Sequence, residues 1–172
     1  MSSTNRGSVR RPVDHYATPW EAFSVILPWL PKNIHFHDPA AGDGRLIRWL
    51  RESGRDATGS DLFPQITGND VYPETPVDYL KDTVSKRFTI TNPPFGLAQE
   101  FCDHALKNSL EVMMLLRLNF LGSQKRKEWW KLHEPDCIFV LSARPDFTGD
   151  GGDSCEYCWM YWGDRFFGIK HP

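Results

Sequence analysis

Long apolar runs are absent from this sequence. No stretch of about 18 consecutive apolar residues, the minimum for a membrane-spanning helix, occurs among its 172 residues. The N-terminus lacks the succession of basic, apolar and small residues that marks a secretory leader. A cytoplasmic protein without a membrane partner is expected. Net charge is nearly absent too: 20 Lys and Arg stand against 22 Asp and Glu, leaving −2. That balance supplies no global positive field to attract a polyanion, so any nucleic-acid contact must rest on local basic segments.

Cysteine is scarce. Cys102, Cys137, Cys155 and Cys158 are too few and too irregularly spaced for a disulfide scaffold, and reduced thiols are expected. Cys155 and Cys158 form a C-x2-C pair, but no second pair or His-x3-His completes a zinc pattern. The pair lies in a strand-like segment, Cys155 to Trp162, where an odd separation places side chains on opposite faces. The six histidines show no ligand spacing. No metal site is expected.

What is present is an alternation of strand and helix patterns. Residues 1–13 are polar, with Arg6, Arg10 and Arg11, and read as a flexible tail ahead of a single domain over 14–172. Thr18-Pro19-Trp20-Glu21 carries the signature of a capping box, with Thr18 as N-cap of a helix reaching about Leu27. From Ile34 the order becomes strand (34–37), glycine turn (38–44), helix (46–52) and strand (57–61), the opening unit of a parallel α/β sheet. Further strands are predicted at 77–80, 88–91, 112–118 and 137–141, with helices at 97–108 and 123–132. The run Lys125-Arg126-Lys127-Glu128-Trp129-Trp130-Lys131 reads as a solvated helix face with one Trp in the core, or else as a phosphate-contacting face. After the loop 149–152, the aromatic segment ending at Trp162 suits an antiparallel edge.

Two motifs carry chemistry. Asn92-Pro93-Pro94-Phe95 follows the apolar run 88–91 directly. Two prolines end the strand, because proline fixes φ and pushes its predecessor to extended conformations. The Asn92 amide oxygen and the Pro93 carbonyl can then accept both protons of an NH2 group, while Phe95 stacks on the ring that bears it. A plain strand-ending turn with a core Phe is the alternative. The second motif is Asp38-Pro39-Ala40-Ala41-Gly42-Asp43-Gly44 after the first strand, followed by Asp61 after the next. Glycines there let bare backbone approach a ligand, and an acid at the end of the second strand can bind ribose hydroxyls. The carboxylate of Asp38 would repel a pyrophosphate but suits a cationic ligand.

Tyr16-Ala17-Thr18-Pro19, the Asp38–Gly44 loop, Asp61, Asp78-Tyr79-Leu80 and Asn92-Pro93-Pro94-Phe95 fall in an order that resembles amino-group DNA methyltransferases, most of all small DNA N6-adenine methyltransferases of the phage and prophage type. Leu115 to Leu121, Arg144 to Gly149 and the aromatic strand extend the resemblance to about residue 162. The resemblance implies a Rossmann-like, doubly wound, mostly parallel sheet of seven strands with an antiparallel edge hairpin, and S-adenosylmethionine as cofactor. Asp38, Ala40, Gly42 and Gly44 would surround the methionine part. Asp61 with Leu62 would meet the ribose, Asp78 with Tyr79 the adenine, and Tyr16, Thr18 and Asn92 the same pocket. The catalytic group would be Asn92, Pro93, Pro94 and Phe95, with Phe95 stacked on the extruded base. DNA, with the adenine flipped out or single-stranded, is the implied partner in a bacterial or phage-infected cell. No separate target-recognition domain follows, so short or relaxed specificity is expected, or specificity from a second copy or a partner. An RNA base or a protein glutamine amide offers the same planar NH2 group, and a non-catalytic nucleic-acid-binding module is the remaining alternative.

Overall fold

The computed structural model of the chain describes residues 16–64, 76–149 and 151–164. The expected tail with its three arginines and Asp150 of the 149–152 loop lie outside them. Strands β1 (His35–Asp38), β2 (Asp56–Gly59), β3 (Lys86–Thr91), β4 (Ser109–Arg117), β5 (Cys137–Val140) and β6 (Tyr157–Trp162) form one sheet in the order β2-β1-β3-β4-β6-β5. The first four are parallel, and β6 runs antiparallel to both β4 and β5. Helices α1 (Trp20–Ser24), α2 (Arg45–Glu52), α3 (Ala98–Asn108) and α4 (Lys127–Trp130) accompany them.

Period-2 burial builds a core on each side of the sheet. Met113 and Leu115 of β4 join Tyr157, Trp159 and Tyr161 of β6 in a cluster with Phe23, Leu46, Ile47 and Leu50. The alternate residues, Val112, Met114, Leu116, Cys158, Met160 and Trp162, pack with Phe101, Cys102 and Ala105 of α3. Helices thus cover both faces, as expected of a doubly wound sheet. The antiparallel edge is present as the β5–β6 pair.

The described residues contain six strands rather than seven. The segment predicted as a strand at 77–80 ends instead in a 3-10 turn over Tyr79–Lys81, because the Asp78 carboxylate accepts the Leu80 N–H and caps it. The capping box at Thr18 does not form either: α1 starts at Trp20, its N-cap is the extended Pro19, and no side chain caps it. Thr18 is buried instead. The helix is also shorter than expected, with a 3-10 turn over Leu27–Trp29 that takes Pro28 at its start. The basic segment 123–132 splits into a 3-10 turn and the four-residue α4. Both Trp129 and Trp130 pack against the second core cluster. β6 begins at Tyr157, so Cys155 precedes the strand and the opposite-face argument does not reach it.

Arg55, only 7% exposed, anchors the entry to β1 and β2. Its guanidinium donates to the carbonyls of Leu27 (2.8 Å), Leu30 (2.7 Å) and Pro31 (3.2 Å) and to the Ser53 hydroxyl (2.8 Å). Arg55→Ala strands these acceptors, and a loss of about 2–3 kcal/mol is expected. A urea midpoint unchanged from wild type would contradict that anchoring role.

Candidate functional site

From β1 the chain moves outward to β2 and then returns to lay β3 on the other side of β1, so the strand order reverses between β1 and β3. The crevice beyond the carboxyl ends at such a reversal is where open α/β sheets bind ligands. A cleft of about 250 Å³ lies there. Asp38, the last residue of β1, and Asn92, the first after β3, both line it. The loop between β1 and α2 turns on Gly42 (φ 54°) and Gly44 (φ 73°), conformations that side chains with a Cβ resist. Gly44 is the N-cap of α2 and stays outside the lining.

Asp61 closes this loop from the β2 side. Its carboxylate accepts from the Gly42 N–H (2.8 Å) and the Phe63 N–H (2.7 Å). Asp38 is 3% exposed and accepts from the Ala40 N–H at 3.1 Å. The Thr91 hydroxyl lies near it without closing a full hydrogen bond. Burial pushes the Asp38 carboxyl up to about 7, with the charges of Asp61 and Asp43 adding to the rise. Asp43 has its own counter-ion: burial works against its charge, but Arg45 bonds it at 2.6 Å and holds its pKa below the usual value. Asp78 pairs with Lys81 at 2.7 Å and is likewise lowered. A cation entering the cleft therefore finds Asp38 and Asp61 as the carboxyls that, among the described residues, have no cationic partner.

Asn92 supplies the decisive polar atom. Its side-chain N–H donates to the Tyr16 carbonyl at 2.8 Å. A carbonyl can only accept, so that contact orients the amide and leaves Oδ1 on the other side. Among the described residues, this Oδ1 is buried without a hydrogen-bond partner. An orphaned buried acceptor is costly unless something donates to it. Tyr16, Thr18, Ala40, Leu62, Tyr79 and Pro94 line the same cleft. Pro93 and Phe95 do not. The Phe95 ring stacks on Tyr16 (5.0 Å, 29°) and faces a second cavity.

Sequence reasoning missed Phe63, Leu97 and Phe101, which add apolar wall to the cleft. Phe63 sits two residues after Asp61 and beside Leu62, a signal that was legible. It also missed Gly59. A Cβ there would lie 2.1 Å from Ile47 Cδ1, 2.8 Å from Ala41 Cβ and 3.1 Å from the Asp38 carbonyl. That glycine lets α2 and the Ala41 loop lie flat on the end of β2. Gly59→Ala is expected to cost about 1–3 kcal/mol by overpacking. Thermal unfolding measures it, and a melting temperature at the wild-type value would show that the loop has room to spare.

No family model and no curated protein matches the chain in sequence. Solved structures match it in fold. A candidate RNA methyltransferase from Pyrococcus horikoshii aligns with TM-score 0.63 and 12% identity, covering 82% of this chain and 80% of that one. The 23S rRNA methyltransferase ErmE aligns with TM-score 0.59 and 14% identity over 86% and 68%. The methyltransferase subunit of a type I restriction-modification system from Streptococcus thermophilus aligns with TM-score 0.60 and 14% identity over 87% of this chain and 45% of that one. The chain spans less than half of that subunit. The fold is the Rossmann-like fold of S-adenosylmethionine-dependent methyltransferases.

Proposed function

We propose that the protein transfers a methyl group from S-adenosylmethionine to the N6 amino group of adenine in DNA. The observation that carries this reading is the orphaned Asn92 Oδ1, buried at the cleft beside Asp38 and Asp61. An aminated planar ring would supply the missing donor. The cleft also suits the cofactor: Asp38 offers a buried carboxylate to the cationic amino-acid end, and the Gly42 loop lets that end approach the backbone. Asp61 keeps acceptor capacity for ribose hydroxyls, and Leu62, Phe63, Tyr79 and Leu97 provide apolar walls for the adenine.

The chemistry the cofactor supplies is an already activated methyl group, so the chain's residues have to align and desolvate rather than form a covalent bond. The adenine N6 lone pair is delocalised into its ring. Acceptance of one proton by Asn92 Oδ1 and of the other by the Pro93 carbonyl favours a more tetrahedral nitrogen, freeing the lone pair for the methyl carbon. Once the nitrogen carried the methyl group, Asn92 Oδ1 and the Pro93 carbonyl would hold its protons until the surplus one left to solvent. A base within a duplex cannot reach a recessed acceptor, so an extruded or single-stranded adenine is required. The motif order supports DNA as acceptor. Incubation with labelled S-adenosylmethionine and, separately, DNA, RNA and protein tests the proposal. Label in DNA that digestion identifies as N6-methyladenine is the expected result, and label confined to RNA or protein would reject it.

A further inference from the structure

A second cavity, of about 560 Å³, adjoins the same loop through Phe95 and Gly96 and shares no lining residue with the cofactor cleft. Two arginine–aromatic pairs line it. The Arg126 guanidinium lies 4.0 Å from the Phe120 centroid, with its Nε–H fixed to the Phe120 carbonyl at 2.9 Å. The Arg117 guanidinium lies 4.4 Å from the Phe95 centroid. Its Nε–H donates to the Tyr157 hydroxyl (3.0 Å), which itself donates to Asp153 (2.6 Å). The Arg117 side chain is nevertheless 37% exposed and only 3.6 Å from the Asp153 carboxylate, a loose ion pair.

Tyr16, Phe147 and Tyr157 complete the surroundings of Phe95. The ring is therefore enclosed by three aromatics and a guanidinium. Of these four groups, the guanidinium is the one carried on a long flexible stem. A guanidinium is planar, delocalised and weakly hydrated, so it stacks on an aromatic ring much as a nucleobase does. It also binds phosphate readily.

We infer that Arg117 keeps the acceptor's place on Phe95. In the free protein its guanidinium covers the ring; an incoming base displaces it, and the guanidinium turns to a phosphate beside that base. This inference rests on the proposed function, which supplies the acceptor ring that would stack on Phe95. The cavity also carries Glu100 and Asp103, the latter accepting from the Trp129 indole N–H. Two guanidiniums against two carboxylates give no net charge. Stacking exchange, coupled to one new ion pair with a phosphate, is the recognition this lining supports.

The test is the salt dependence of binding to a fluorescently labelled, adenine-containing single-stranded DNA oligonucleotide, read by anisotropy. Each phosphate that a cationic side chain no longer neutralises lowers the slope of log affinity against log salt by about 0.7 on single strands. Arg117→Ala is expected to bind about tenfold more weakly at moderate salt and to lose about 0.7 from that slope. Arg117→Lys retains the slope, because it keeps the charge. Both variants bind S-adenosylmethionine within about twofold of wild type, because Arg117 stays outside the cofactor cleft. An unchanged slope in Arg117→Ala, or no oligonucleotide binding by the wild type, overturns the inference. A loss of cofactor affinity with an unchanged slope would show that Arg117 merely braces Phe95 and Tyr16. Absence of cofactor binding in the wild-type protein would instead reject the proposed function.

Discussion

Asn92→Ala is expected to slow methyl transfer about 10²–10³-fold, the range found when one preorganised hydrogen-bonding group is removed from a reacting centre. The reason is the split role of the amide. Its N–H is committed to the Tyr16 carbonyl, and its Oδ1 is buried with nothing to accept. Alanine removes the acceptor that would draw on the amino protons, and little of the wall that contacts the cofactor. Cofactor affinity should therefore stay within about fivefold of wild type, while single-turnover transfer collapses. Asn92→Asp makes a sharper comparison. It keeps an acceptor but sets a carboxylate against the Tyr16 carbonyl, so part of the rate returns only if protonation or a shift of the 16–18 segment relieves that repulsion. Transfer by Asn92→Ala at the wild-type rate would remove Asn92 from the chemistry and return the Asn-Pro-Pro-Phe segment to a strand-ending turn.

Asp38→Asn is expected to change cofactor affinity and stability in opposite directions. Without ligand, the Asp38 carboxyl is held up to about 7 by burial, against 3.8 in an unfolded chain. Between those values the folded state binds a proton that the unfolded state has lost. The stabilisation from the protonated form is complete below about pH 4 and is lost as pH rises through about 7, with a slope of up to about 1.4 kcal/mol per pH unit from this group. Asparagine carries no charge to desolvate and can still accept from the Ala40 N–H. The variant should melt higher than wild type at pH 8 and lose this part of the pH dependence. A cationic cofactor reverses the preference, since it favours the ionised carboxylate. Wild-type affinity should accordingly rise from pH 6 to pH 8, with a proton released on binding below pH 7. Asp38→Asn should bind about 100-fold more weakly at pH 8, the loss expected when one member of a buried charge pair is removed. Calorimetry in buffers of different ionisation enthalpy measures both. A variant that is weaker in binding and also less stable at pH 8 would mark Asp38 as a structural residue.

The motif chemistry was legible because it depends on short, local constraints. Pro93 and Pro94 must end a strand whatever surrounds them, and Gly42 and Gly44 admit a loop that turns with positive φ. Strand and helix periodicity likewise located all six described strands to within a few residues, since burial on both faces of a parallel sheet leaves continuous apolar runs such as 112–116. Local signals failed where a tertiary demand competed with them. Thr18 has the sequence of an N-cap, but burial at the cleft takes it from that role. The 77–80 segment has strand-like residues, yet Asp78 caps a turn.

From the sequence alone followed the alternation of strand and helix, the place of the loops at strand ends, and the residue types that a methyl donor and an amino group would need. Tertiary structure decided which of those groups face one another. The amide orientation of Asn92 depends on the Tyr16 carbonyl, 76 positions away. The raised Asp38 pKa depends on burial beneath a loop tied down by Asp61. The face of Phe95 belongs to Tyr16 and Arg117. Periodicity and turn chemistry act over a few residues of one chain segment, whereas desolvation and hydrogen-bond pairing arise between segments and exist only after the sheet has brought them together.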